Sequence, residues 1–299
     1  MRARLLINPS AGRGRGARLR SRLAALAAHA GVPCVDTTSA EDLTRRAAEA
    51  AADGVERLLV AGGDGTWHHA ARGLAGSATA LAPIPVGTGN DLARELGYPL
   101  SPPRALSAAL AGSLERIDLG RIDGRLFCGV AGVGFDAAVA EYARSRVRLL
   151  RGPAVYAWAT LATLAASRPP SGRLDDGGSG FEGEVFFVAF ANTSHYGGGM
   201  RIAPRADPAD GRLEVVIVRR ISKLRLLAIF PRVYRGAHIG HPAIEVRSAV
   251  SLVASFGAPQ LINADGEAAG RTGEAPLAVG IEPRALAVVR APRDGPPEH

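Results

Sequence analysis

Between residues 3 and 97 the chain alternates between short hydrophobic runs and stretches of helical period. "ARLLIN" (3–8) reads as a strand, and "RGARLRSRLAALAAHA" (15–30) as a helix with Leu19, Leu23 and Leu26 on one face. The pair then repeats: "VPCVDT" with "AEDLTRRAAEAAADG", "RLLVAG" with "TWHHAARGLAG", and "ALAPIPVG" with "NDLARELG". Gly54 and Gly97 are helix stops. Strands separated by helices form β-α-β units around a parallel sheet, which gathers its ligands outside the C-terminal strand ends. The first part of the chain is therefore expected to be an α/β, Rossmann-like domain.

Near 120–126 the texture changes. "RLFCGVAGVG", "GEVFFVAFANTS", "RLEVVIVRR", "AIEVRSAVSLVAS", "LAVGIEP" and "RALAVVRAP" are β-rich runs separated by turn residues, and only 136–167 and 222–236 read as helical between them. Strands without intervening helices predict a β-rich sandwich. The expected division is 1–122 for the α/β domain, 123–290 for the β-rich domain and 291–299 for a tail. "RPPSGRLDDGGSG" (168–180) reads as a long polar loop. The net charge of +8 favours anionic partners such as nucleotide phosphates or an anionic membrane. Cys34 and Cys128 form no C-x-x-C pair and read as buried thiols. "MRARLLINPSAG" lacks the apolar core of a signal peptide, and "AVYAWATLATLAA" (154–166) is shorter than the roughly 20 residues of a membrane span. A soluble, cytoplasmic chain is expected.

Glycine-bearing turns follow three of the strands: "NPSAGRGRG" (8–16), "GGDGT" (62–66) and "GTGND" (87–91). Glycine lets a phosphate approach the main chain, and the N–H groups of a following helix start point at that anion. One such turn is weak evidence, but three at one sheet edge predict a phosphate site. "GRGRGA" (12–17) also fits the dinucleotide fingerprint, with Asp36 as ribose-binding acid. Against a dehydrogenase, "NPSA" separates strand from first glycine, and the other two turns would have no role. No G-x-x-x-x-G-K-[ST] occurs, which excludes a Walker-type NTPase.

"LLINPSAGRG", "AGGDGTWHHAARGL", "PIPVGTGNDLARELG", "GVGFDAAVA", "DPADGRLEVVIV" and "NADGEAAG" together resemble the diacylglycerol kinase catalytic-domain family. The nearest likeness is to its bacterial soluble lipid kinases, related to sphingosine and ceramide kinases. "GGDGT" alone is shared with NAD kinases and phosphofructokinases; the combination with "GTGND" and a late "DGE" is more specific. The resemblance implies an α/β nucleotide domain of NAD kinase/phosphofructokinase type beside a β-rich domain, with the cleft between them. It implies an ATP-dependent kinase that phosphorylates a lipid hydroxyl, with diacylglycerol the first expectation and phosphatidic acid the product. The alternative is a nucleotide-binding regulatory protein with little catalysis, and an NAD kinase is a minor alternative.

Within that resemblance, Gly62, Gly63, Gly65 and Thr66 cradle the ATP phosphates and Asp64 serves Mg²⁺. Asn8, Pro9, Ser10, Ala11 and Gly12 form a second wall, and Gly87, Thr88, Asn90 and Asp91 a third. Asn90 and Asp91 also suit simple helix capping, and both readings stand. Thr37 or Thr38 resembles a nucleotide contact, with Thr37 favoured. Asp118 in "RIDLG" is placed near the cleft by the family, or is an ordinary turn acid. His68 and His69 read as helix-packing or exposed groups, having no second ligand cluster nearby. "DPADGRL" (207–213) is a hairpin turn by its D-G pair; the family places a structural Mg²⁺ there, held by the Asp210 side chain and the carbonyls of Asp207 and Arg212. "NADGEAAG" (263–270) is a second turn, and the resemblance makes its Glu267 the general base, with Asp64 and Asp91 as further catalytic residues.

Two basic-apolar segments suit peripheral contact with an anionic membrane. The first, 143–164, carries Arg144, Arg146, Arg148, Arg151, Tyr156 and Trp158; the second spans 219–236. The competing reading packs both helices on the β domain. No nucleic-acid partner is expected, and the oligomeric state, a homodimer included, is left open.

Overall fold

The computed structural model describes residues 1–146 and 153–292, with the side chains of 143–157 outside the description. The N-terminal strands β1 (Ala3–Ile7), β2 (Cys34–Asp36), β3 (Arg57–Gly62) and β4 (Ala80–Pro85) alternate with helices α1 (Ala11–His29), α2 (Ala40–Ala52), α3 (Asp64–Leu74), α4 (Asp91–Glu95) and α5 (Pro102–Ala111). All these strands pair in parallel, in the order β2-β1-β3-β4. Leu5, Leu6, Ile7, Leu58, Leu59 and Leu81 are essentially fully buried at the centre. Strands covered by helices on both faces need such continuous apolar runs.

Strands β5 (Ser113–Ile122), β6 (Arg125–Phe127) and β7 (Val130–Gly134) lead into α6 (Phe135–Arg146) and α7 (Pro153–Ala166). Next come β8 (Ser171–Asp175), β9 (Phe181–Ala191), β10 (Leu213–Arg219) and α8 (Lys223–Val233). The chain ends in β11 (Ile244–Ala249), β12 (Ser251–Phe256), β13 (Leu261–Ala264), β14 (Glu267–Arg271) and β15 (Leu277–Arg290). These strands form the expected antiparallel sandwich. β9 ties its layers together, pairing with β8 through Phe181–Glu184 and with β7 through Phe187–Ala191. A core including Phe127, Val188 and Phe190 fills the interior, and a second cluster, with Phe135, Ala159, Leu164 and Val233, packs α6–α8 on the outer face.

The structure differs from the sequence expectations at particular places. The stretch 168–180 is not all loop: Ser171–Asp175 form β8, with buried Gly172 and Leu174 alternating with exposed neighbours. "LAVGIEP" and "RALAVVRAP" are one strand bent at a bulge between Glu282 and Leu286, where Arg284 has φ 51°. The first half of β15 pairs with β12, and its second half returns to the first lobe beside β5 and β4. Leu286, Val288 and Val289 are consequently buried in the N-terminal core. The helix expected from residue 15 is preceded by a turn at 12–14 in which Gly12, Arg13 and Gly14 all have positive φ.

Asp118 holds this junction together. It is 1% exposed; its carboxylate accepts the N–H groups of Arg284 at the bulge and Gly211 in the 207–213 turn, each at 2.7 Å. Its own N–H donates to the carbonyl of Pro208. Among the described residues no helix is long and apolar enough to cross a membrane.

Candidate active site

The three glycine turns meet at one cavity of about 420 Å³ between the lobes. Asn8 ties the first to the second: its Nδ2 donates to Thr66 Oγ1 at 3.0 Å, while its Oδ1 accepts the Ser10 N–H. The second and third turns touch through their main chains. A Cβ on Gly63 would lie 3.0 Å from Gly87 Cα, and one on Gly87 2.6 Å from Gly63 Cα, so a side chain at either would push the two main chains apart. Gly63 immediately precedes α3, whose first N–H groups have no intrahelical acceptors.

Of the expected nucleotide residues, Asn8, Ala11, Gly12, Gly63, Asp64, Gly65, Thr66, Gly87 and Thr88 line this cavity. Pro9, Ser10 and Gly62 stand behind the lining; Pro9, for example, spends its carbonyl on the Ala17 N–H. Thr37 does not reach it, because its buried hydroxyl donates to the Ile7 carbonyl at 3.2 Å. Thr38 instead lends its N–H to Asp42. Ser39, Ala40, Leu43 and His69 also line the cavity. Sequence reasoning missed all four, although the Ser-x-x-Asp start of α2 marks where that helix begins.

Asp64 Oδ1 accepts the N–H groups of Asp91 at 2.7 Å and Leu92 at 3.2 Å, fixing the start of α4. Its Oδ2 turns toward Gly89, where an added Cβ would lie 2.7 Å away. Asp91 reaches into the other lobe, accepting the N–H groups of Gly198 at 2.8 Å and Gly199 at 2.7 Å. Burial, followed by the Asp91 charge, pushes the Asp64 carboxyl well above the usual range. Burial raises Asp91 too, against the pull of the two glycine N–H groups. Two buried carboxylates that resist ionisation together favour a cation beside them. Their oxygen-only donor chemistry suits Mg²⁺. Asn90 does not cap α4: it sits at φ 58°, makes no side-chain cap bond, and donates Nδ2 to the Gly87 carbonyl at 3.0 Å. Its Oδ1 is buried without a protein partner, an acceptor in reserve behind the third turn.

The second lobe contributes Glu267 through the β13–β14 hairpin. Asp265 and Gly266 turn the chain with φ 52° and 83°. The Asp265 carboxylate accepts the N–H groups of Cys128 at 2.8 Å and Gly129 at 2.7 Å, and His68 Nδ1 lies 2.8 Å from its Oδ2. Two residues on, Glu267 lines the cavity with its carboxylate against Gly65; a Cβ there would collide with Oε1. A carboxylate from one lobe thus lies beside the phosphate-binding turn of the other. His68 is neither exposed nor a mere packing residue.

The 207–213 turn lies apart from this cavity. Asp207 Oδ1 accepts the Ala209 N–H at 3.0 Å and Asp210 Oδ1 accepts the Arg212 N–H at 2.9 Å. The Asp210 carboxyl is raised by burial and by its acidic neighbours Asp207 and Asp118. Among the described residues no cluster of three His, Cys, Asp or Glu side chains surrounds it, so a cation would depend on carbonyl oxygens. A larger groove of about 830 Å³ runs past Asp207, Glu95 and Glu115, but its Arg290 is paired with Glu115 and no glycine turn enters it. The three glycine turns, with Asp64 and Glu267 facing them from the two lobes, select the smaller cavity.

Known proteins resemble this chain in sequence and fold. The Diacylglycerol kinase catalytic domain family matches residues 2–122, and the YegS C-terminal NAD kinase beta sandwich-like domain family matches 129–290. A diacylglycerol kinase of Mycobacterium tuberculosis (strain ATCC 25618 / H37Rv) is 38% identical over 243 residues, 78% of each chain. One from Bacillus subtilis (strain 168) is 29% identical over 274 residues, 90% of each. A probable lipid kinase YegS-like of Pseudomonas putida is 34% identical over 184 residues, covering 61% of this chain and 62% of that protein. The crystal structure of a diacylglycerol kinase from Bacillus anthracis strain Sterne shares the fold, with a TM-score of 0.73 over 97% of both chains at 21% identity.

Proposed function

Because the chain belongs to the diacylglycerol kinase catalytic-domain family, we propose that it transfers the γ-phosphate of ATP to the free hydroxyl of diacylglycerol, giving phosphatidic acid. ATP-dependent lipid kinase chemistry is the activity of the family. The observation that carries the assignment to this cavity is Glu267 against Gly65, one residue from Asp64. Phosphoryl transfer demands positioning and charge stabilisation on one side and removal of the substrate's proton on the other. The glycine turns with Asn8 and Thr66 hold the phosphates, and Glu267 takes the proton of the lipid hydroxyl as it attacks. Asp64 would hold Mg²⁺, which when bound would neutralise phosphate charge. Asp91 fixes the Gly198–Gly199 loop against this centre. Incubation with labelled ATP and a total lipid extract, followed by mass analysis, should return a single labelled class, phosphatidic acid. ATP consumption with no labelled lipid would instead favour a nucleotide-binding regulator.

Contact with an anionic lipid surface accompanies this activity. On α7, Ala159 and Thr160 face inward while Trp158 and Leu161 are about half exposed, and on α8 Leu224 is 80% exposed. The two helices adjoin, with Lys223 Nζ donating to the Ala165 carbonyl at 2.8 Å. Exposed Lys223 and Arg225 place cations beside the apolar side chains. Of the earlier candidates, Arg148 and Arg151, and the side chains of Arg144, Arg146 and Tyr156, lie outside the described residues. Replacing Lys223 and Arg225 together with glutamine should weaken sedimentation with phosphatidylserine vesicles roughly thirtyfold at low salt, at about 1 kcal/mol per cation, and less at high salt. Undiminished binding would contradict this docking face.

A structural Mg²⁺ at the second turn also belongs to the proposal. Asp210 supplies a carboxylate, and Asp207 and Arg212 their carbonyls. Asp210→Ala should reduce the thermal stabilisation that Mg²⁺ gives without nucleotide and lower the melting temperature by a few degrees, about 1 kcal/mol. A wild-type melt indifferent to Mg²⁺ would leave a plain turn closed by its own hydrogen bonds.

A further inference from the structure

We propose that His68 is a positioning residue whose bond to Asp265 sets the distance between Glu267 and the nucleotide-binding turn. The inference rests on the kinase reading above and assigns the buried His68–Asp265 pair a role that this reading leaves open.

An ionised carboxylate can only accept, so the contact with Asp265 requires the His68 proton on Nδ1. Asp265 also accepts two main-chain N–H groups from Cys128 and Gly129, at the passage from the first lobe to β7. Its own N–H donates to the Val130 carbonyl. The turn is therefore fixed to the second lobe by main-chain bonds, while His68 holds it to α3. Both side chains of the pair are less than a tenth exposed, so water competes little for the bond.

The placement along both chains gives the bond its consequence. His68 lies one helical turn beyond Asp64 and Gly65, on the same side of α3. Glu267 lies two residues beyond Asp265, in the strand that leaves the turn. The pair and the Gly65–Glu267 contact are thus parallel ties between the same two elements. One is buried and directional, and the other carries the proposed base. The His68–Asp265 bond joins a side chain of α3 directly to this hairpin. Without it, the Glu267 carboxylate would rest only on the bare Gly65 backbone, with no side chain of that turn to hold it, and displacements of about 1 Å can cost a reaction on the order of 100-fold.

Asparagine carries its amide nitrogen as many bonds from the backbone as histidine carries Nδ1, whereas glutamine carries it one bond farther out. Steady-state kinetics of His68→Asn, His68→Gln and His68→Leu, with thermal melts on each, separate positioning from simple stability. The expected result is kcat for lipid phosphorylation within a few-fold of wild type in His68→Asn. In His68→Gln and His68→Leu, kcat falls about tenfold to a hundredfold with the KM for ATP nearly unchanged. If His68→Leu does not fold, the comparison between the asparagine and glutamine variants decides alone. An active wild type with equal kcat in folded His68→Gln overturns the positioning role and leaves the kinase reading intact. A wild type that labels no lipid overturns both.

Discussion

Glu267→Gln is expected to lower kcat by about 10²–10⁴-fold while leaving ATP affinity nearly unchanged, because it keeps the side chain's shape and removes its capacity to accept a proton. Glu267 comes from the second lobe and meets the first at Gly65, without belonging to the turns that line the phosphate side. Nucleotide binding, measured by equilibrium titration, should therefore survive the substitution. A loss of ATP affinity would place Glu267 with Asp64 in the nucleotide or metal shell. Near-wild-type kcat with chemistry rate-limiting would remove it as base and make Asp91 the next candidate. Asp91 is the weaker one, since both its oxygens are already engaged by Gly198 and Gly199.

Asp64→Asn should have opposite effects on activity and stability. Turnover should fall by at least about 10²-fold, as expected for loss of a group that stabilises developing charge. The asparagine carbonyl can still accept the N–H groups of Asp91 and Leu92, so the fold is retained. The wild-type carboxyl is raised in the fold from 3.8 to about 7, chiefly by burial and then by Asp91. Between those values the folded state binds more protons than the unfolded, so unfolding free energy decreases as pH rises through the window and levels off above it. At pH 7.5 without metal the variant should therefore melt higher than wild type, and at pH 4 the difference should shrink. Mg²⁺ should stabilise the variant less than the wild type, the remainder coming from the Asp210 turn. A variant that melts lower at pH 7.5 and retains turnover would contradict both assignments.

The features legible in the sequence were those written in local pattern. Alternating strand and helix periods specify the parallel sheet, and glycine turns after β1, β3 and β4 mark the phosphate edge without any partner being known. The Asp265-Gly266 pair announces its hairpin in the same way. Other features depend on partners far along the chain. β8 is a short run inside a Gly/Pro-rich segment, and its apolar positions acquire meaning only when β9 and β12 flank it. The return of β15 to the first lobe is set by pairing with β4 and β5, which no periodicity within 277–290 reveals. The same holds in the site. Asp91 and the Gly198–Gly199 loop, or His68 and Asp265, each look ordinary alone, and they become informative when the two lobes close on one another. Thr37 shows the converse: a hydroxyl at a strand end resembles a ligand contact until the neighbouring Ile7 carbonyl is seen to take it.

Transfer of label from γ-labelled ATP to defined diacylglycerol vesicles, with label in free phosphate counted in parallel, bears most directly on the role of the interlobe cavity. The structure predicts Mg²⁺-dependent accumulation of labelled phosphatidic acid by the wild type and its near-complete loss in Glu267→Gln, with nucleotide still bound. Label appearing only in free phosphate, or equal labelling of the lipid by both proteins, would contradict it.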